Sequence, residues 1–230
     1  MANSKSIINK IYSENKGEHF IKEKEEWAVK IGRFFGIPLA RAIKALPVKI
    51  HPNIISVISL IFALFAAYYF FNNKLIVGAI FFLISYVFDC SDGVLARLTD
   101  TQSKFGEKLD FYIDITGNVF MYFGLWYSQY YLFGQWFFGG SIIVAHYAVM
   151  VFGYMFIKDR TYKTFSKKLS SYYSAADEGF LTFFFTPMLF IFRLAFPILV
   201  IIQFISYIIL FLKQKEKPDI RKNIKSILKI

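Results

Sequence analysis

Four aspartates in one short stretch have the types and spacings to do chemistry. Asp89 and Asp92 are three residues apart, and Asp110 and Asp114 are four apart, so each pair shares one face of a helix. Gly93, Ala96 and Arg97 continue the first face, and Gly106 precedes Asp110 by one turn on the second. Two helices joined by a turn around Thr99 to Lys104 would aim all four carboxylates into one gap. Carboxylates that close repel one another, and oxygen-preferring divalent cations, Mg²⁺ or Mn²⁺, relieve the conflict.

The elements that must position them read as membrane helices. The chain has 230 residues, of which 56% are hydrophobic and 20% aromatic, with 29 Phe and 15 Tyr. A soluble domain has no interior for so much aromatic surface, whereas a bilayer does. Carboxylates inside such segments are costly and mark functional sites. The formal charge of +11 comes from lysines and arginines beside the apolar spans. That distribution points to anionic lipid headgroups and excludes nucleic acid as the partner. Cys90 stands alone, so no intrachain disulfide forms, and it reads as a small filler between helices rather than a reactive thiol. The N-terminus is polar, with no early apolar core of the kind a cleaved signal peptide has.

Residues 1–50 hold ten Lys and Arg against five Glu and form a basic N-terminal segment. Within it Trp27, Ile31, Phe34, Phe35 and Leu39 recur at near-helical spacing, punctuated by Lys30, Arg33 and Arg41. This predicts an amphipathic helix lying in the membrane interface. Six spans follow over residues 51–212. The first, Ile54 to Phe71, opens at His51-Pro52-Asn53, where proline suits a helix start. The second runs from Leu75 through Asp89 to about Leu98, the third from near Phe105 to about Leu132, and the fourth from Trp136 to Ile157. His146 in the fourth span reads as a hydrogen-bonded interior histidine, and Gly139-Gly140 as a close helix approach. Gly179 to Phe192 is short for a fifth span; it starts earlier, near Ser174, or breaks at Thr186-Pro187. Arg193 separates it from a sixth span, Leu194 to Leu212. The tail 213–230 is basic, with an apolar stripe at Ile220, Ile224, Ile227 and Leu228. Basic segments alternate with nearly uncharged connections, which places both termini and the aspartates on the cytoplasmic side.

The aspartates, Gly93, Ala96, Arg97 and Gly106 together make Asp-x2-Asp-Gly-x2-Ala-Arg-x8-Gly-x3-Asp-x3-Asp. This pattern resembles the signature of the CDP-alcohol phosphotransferase family at every fixed position. The resemblance covers Pro52 to roughly Asn118 and the six-span layout. It implies an all-α membrane transferase in which a hydroxyl attacks a phosphorus of a CDP-linked donor and CMP leaves. It implies two divalent ions held by Asp89, Asp92, Asp110 and Asp114, with Asp114 also taking the acceptor's proton. It also implies nucleotide or donor contacts at Pro52, Asn53, Gly93, Ala96, Arg97, Ser103 and Gly106, and a homodimer. A turn role for Ser103 remains the alternative. Many members carry a basic residue directly after the fourth aspartate, where this chain has Ile115.

The family is used in two directions. One joins CDP-diacylglycerol to a small polar alcohol; the other joins a CDP-linked alcohol such as CDP-choline or CDP-ethanolamine to diacylglycerol. The short, six-span chain favours the first, in the cytoplasmic membrane of a microbe. Lys158, Arg160 and Lys163 could hold an acceptor phosphate, although a basic cytoplasmic loop looks the same. A divalent-cation carrier is the reading of another class. It would need polar residues along a path across the bilayer, and the helix halves beyond Asp114 read as almost wholly apolar.

Overall fold

The computed structural model describes residues 27–157, 162–163, 172–173 and 175–213. The expected tail stripe at Ile220 to Leu228, the residues before about 20, and Lys158 and Arg160 lie outside the described residues. Helix α1 spans Trp27–Lys44, α2 Pro52–Phe71, α3 Leu75–Leu98, α4 Lys104–Gln129 and α5 Trp136–Phe156. A 3₁₀ turn, Tyr131–Phe133, sits between α4 and α5. Two short strands, β1 (Tyr162–Lys163) and β2 (Tyr172–Tyr173), pair antiparallel. Then come α6 (Ala175–Phe180), a π-helical stretch (Leu181–Phe185), α7 (Thr186–Met188) and α8 (Phe192–Lys213).

Among the described residues, four helices are long and apolar enough to cross a membrane: Pro52–Phe71, Leu75–Leu98, Trp136–Gly153 and Phe192–Leu212. Helix α4 has 26 residues but carries the charges of the acidic stretch in its first half. The weak fifth segment is broken into three pieces, and the chain stops being helical shortly after Thr186-Pro187. Phe190 there adopts φ 57°, a left-handed turn that ends the segment. Arg193, expected to separate two spans, instead lies in the first turn of α8. Its guanidinium sits 4.3 Å over the Phe133 ring, and its carbonyl accepts from the Tyr130 hydroxyl at 3.1 Å.

Helix α2 is the hub. A Cβ at Gly124 of α4 would come within 2.5 Å of the Ala67 carbonyl oxygen, and one at Gly78 of α3 within 2.4 Å of the Phe70 ring. Bare backbone at those two places lets α3 and α4 press on α2. Gly139 serves a ring rather than a neighbouring helix backbone, since a Cβ there would meet Tyr130 at 2.3 Å. Ile54, Phe65, Phe123 and Val144 face outward, as apolar side chains do toward lipid tails.

The apolar stripe of α1 behaves as expected on one side only. Phe34 and Phe35 are 54% and 51% exposed. The opposite, small-residue face is buried instead: Ala28, Gly32, Gly36 and Ala40 lie against the protein. A Cβ at Gly32 would meet Cys90 Sγ at 2.4 Å and Tyr86 Cε1 at 2.7 Å. Helix α1 therefore packs as a helix of the bundle, closing on α3 beside the aspartates. Asp177 of α6, fully buried, accepts from the Ala28 N–H at 2.8 Å and caps the start of α1.

A polar chain crosses the otherwise apolar interior. The Tyr122 hydroxyl and His146 Nε2 are 2.9 Å apart, His146 Nδ1 and Gln203 Oε1 are 3.1 Å apart, and Gln203 Nε2 donates to Glu178. All four residues are buried. His146 is thus a hydrogen-bonded interior histidine, tying α5 to α4, α8 and α6. The halves beyond Asp114 are less uniformly apolar than the sequence suggested.

Candidate active site

The acidic residues arise from two helices meeting head to tail. Asp89 and Asp92 occupy the last turns of α3, whereas Asp110 and Asp114 occupy the first turns of α4. A tight connection reverses the chain: Asp100 adopts φ 52°, and Ser103 caps α4 by accepting from the Gly106 N–H at 3.0 Å. Carboxylate oxygens of Asp89, Asp92 and Asp110 all lie within 4.8 Å of one another. Asp114, one turn along from Asp110, lines a common cavity with Asp89. Three hard oxygen donors converging at that separation suit Mg²⁺ or Mn²⁺.

Two cavities meet at this cluster. The first, of about 450 Å³, opens at the end of the bundle where α3 gives way to α4. Pro52, Asn53, Gly93, Ala96, Arg97, Ser103 and Gly106 all line it, with Asp92 and Asp110 at its inner end. Every nucleotide or donor candidate from the sequence therefore faces one space. Gly93 leaves room in it: a Cβ would meet nothing nearer than Arg97 Nη1 at 3.5 Å, so protein packing does not demand a glycine there. Gly106 differs, because a Cβ would come within 3.2 Å of both Asn53 Oδ1 and Ser103 Oγ. Its bareness lets α2 and α4 converge at the cavity wall. His51 stands at the N-cap of α2, where its Nδ1 accepts from the Asn53 N–H at 3.2 Å.

The second cavity, of about 280 Å³, lies deeper. Asp89 and Asp114 face it, together with the polar side chains of Ser59, Ser85 and Asn118. Its remaining walls are largely apolar, with Val29 from α1, Phe180 from α6 and Phe183 from the π-helical stretch. Apart from Asp89 and Asp114, sequence reasoning assigned none of these residues a place in the site, because they come from distant parts of the chain.

Ser56 was also missed. It lines the first cavity and donates its hydroxyl to Asp92 Oδ2. The available signal was its place one turn after Pro52, on the helix face that Pro52 presents to the cavity.

The family model for CDP-alcohol phosphatidyltransferases matches residues 49–226. The chain belongs to that family. The matched stretch of this CDP-alcohol phosphatidyltransferase holds α2 through α8, while α1, with Val29 in the deeper cavity, falls outside it. The chain is 36% identical over 89 residues to the archaetidylinositol phosphate synthase of Pyrococcus horikoshii. That alignment spans 38% of this chain and 47% of the relative, about half of the relative's length. In fold, the chain is similar to the crystal structure of Mycobacterium tuberculosis phosphatidylinositol phosphate synthase with CDP-DAG bound. That likeness has a TM-score of 0.53 and 16% identity and covers 81% of this chain and 96% of the other. Family and helices together make this an integral membrane protein.

Proposed function

We propose that the chain transfers a phosphatidyl group from CDP-diacylglycerol to a small polar alcohol, releasing CMP. One observation carries the reading: all seven donor candidates line a single cavity that ends on the aspartates. A second space opens on Asp89 and Asp114, the other two carboxylates of the cluster, where an acceptor could sit. The two similar proteins are synthases of inositol phosphate lipids, and the structural neighbour carries CDP-DAG. Both likenesses support this direction of use.

In the proposed reaction the acceptor oxygen bonds to the phosphorus that bears the diacylglycerol. The bond from that phosphorus to the CMP oxygen breaks, and CMP leaves with the electron pair. The acceptor's proton passes to Asp114. Two divalent ions, held by Asp89, Asp92, Asp110 and Asp114, would supply charge neutralisation at the pyrophosphate. Arg97 offers a planar fork to the phosphates, and Gly93 leaves the space they need. Pro52, Asn53 and Ser103 bound the part of the cavity nearer the rim, where the cytidine would lie. The acyl chains would run down the outward apolar faces of the helices.

For topology, the reading takes six crossings: α2 to α5, the broken segment 175–188, and α8. Both termini and the first cavity face the cytoplasm of a microbial cell, in keeping with the basic segments, and the protein acts as a homodimer. The apolar walls of the deeper cavity favour one competing direction, in which a CDP-linked alcohol gives its phospho-alcohol to diacylglycerol. A cation carrier fits less well, since the deeper cavity ends against Met121, Phe180 and Phe183.

The test is CMP release by purified protein in detergent with Mg²⁺ or Mn²⁺. CDP-diacylglycerol offered with a panel of alcohols should yield CMP that one alcohol stimulates. Silence there, with activity on CDP-choline or CDP-ethanolamine plus diacylglycerol, would reverse the direction. Silence with every donor would sink the enzyme reading.

A further inference from the structure

Ser56 lies on α2, whereas the aspartates lie on α3 and α4. Its hydroxyl has two acceptors in reach, Asp92 Oδ2 and the Pro52 carbonyl oxygen at 3.4 Å. With one proton to give, the charge-assisted bond to the carboxylate is the stronger. Both side chains are withdrawn from solvent, Ser56 4% and Asp92 7% exposed, so water does not compete for the bond. A carboxylate has about four lone-pair sites, and one hydroxyl leaves the rest free to bind an ion.

The turn that carries Ser56 is itself held in register. Ser59 Oγ donates to the Ser56 carbonyl at 2.7 Å, and Ser85 Oγ of α3 donates to the Ser59 carbonyl at 2.8 Å. The second bond crosses from α3 to α2, two turns below Asp92 on α3. The ladder Ser85–Ser59–Ser56 thus fixes how α2 meets α3 beside the acidic cluster.

We infer that Ser56 is a positioning residue for the divalent-cation site: its hydroxyl, braced by the Ser59–Ser85 ladder, holds the Asp92 carboxylate in the orientation that completes the cluster with Asp89 and Asp110. The inference rests on the reading that these aspartates bind a divalent ion. An outer partner that orients a ligand carries roughly 10- to 100-fold in metal affinity.

The experiment is a Mn²⁺ titration of the full chain in detergent micelles, read by electron paramagnetic resonance as free Mn²⁺ is lost. Ser56→Ala should weaken Mn²⁺ binding by about tenfold or more, while Ser56→Thr, which keeps the hydroxyl, should restore most of it. Ser91→Ala is the control. Ser91 is equally buried and adjacent to Asp92, but its hydroxyl bonds the Val87 carbonyl at 2.5 Å. It should keep the parent affinity. Metal-free melting temperatures of all variants separate misfolding from loss of the ion. Ser56→Ala that binds Mn²⁺ like the parent overturns the inference, as does a Ser91→Ala loss of equal size. CMP release by a parent protein that binds no Mn²⁺ would remove this inference and leave the transferase standing. Serine-dependent Mn²⁺ binding without CMP release from any donor would do the reverse.

Discussion

The cavity at the rim and the cavity beneath it divide the aspartates between them, Asp92 and Asp110 in the first and Asp89 and Asp114 in the second. The rim cavity is lined from three short stretches, residues 52–56, 92–97 and 101–110, and is rich in charged and hydroxyl side chains. The deeper cavity takes its walls from five helices and the π-helical stretch, between Val29 and Phe183, and is mostly apolar. The first is suited to a pyrophosphate, which needs charge at set spacings. The second is suited to whatever must meet Asp114 away from bulk water. One end is therefore specified by local sequence, and the other by how remote helices come together.

The largest effects should appear where the two cavities join. Chelation by EDTA should abolish CMP release, and Mg²⁺ or Mn²⁺ should restore it. Asp114→Asn should lower kcat by about 10²- to 10⁴-fold, the usual weight of a general base, with the donor KM nearly constant. A kcat close to the parent value would remove Asp114 from proton transfer. Next comes a change confined to the rim. Gly93→Ala should fold normally, because its Cβ would touch nothing closer than 3.5 Å. Its methyl would stand in the donor's space and should raise the donor KM by about tenfold, roughly 1.4 kcal/mol, while the acceptor KM holds.

Gly32→Ala probes the other side. Its methyl collides with Cys90 and Tyr86, both of which line the deeper cavity. Overpacking of this kind costs roughly 1–3 kcal/mol, so the melting temperature in detergent should fall. The acceptor KM should rise several-fold while the donor KM stays put. If Gly93→Ala and Gly32→Ala shift the same KM, the division of labour between the cavities is wrong. The smallest catalytic effect is expected from His146→Leu. It strips partners from Tyr122 and Gln203, and buried polar groups left without a bond cost about 1–3 kcal/mol each. Thermal stability should drop, with kcat changed less than twofold.

Helix α1 shows where sequence reading gives out. Its large side chains, Phe34 and Phe35, stand out at helical spacing and do point away from the protein. The packing face joins Ile37 and Ile43 to Ala28, Gly32, Gly36 and Ala40, small residues that carry little hydrophobic signal of their own. Their role depends on a partner surface, Tyr86 and Cys90, which no periodicity reveals. Asp177 is similar: in the sequence it is one carboxylate in a polar loop, and in the fold it caps α1 from across the bundle.

By itself the sequence determined the membrane class, the long apolar helices to within a few residues, and the residues that gather around the rim cavity. Those residues were legible because their charges and bare backbone recur at helical intervals within one hairpin. Only the tertiary structure decided the deeper cavity, the docking of α1, the serine ladder behind Asp92 and the chain from Tyr122 to Glu178. Each joins residues at least two dozen positions apart through single hydrogen bonds or missing Cβ atoms. Such contacts leave no period along the chain, because they exist only once the helices have packed.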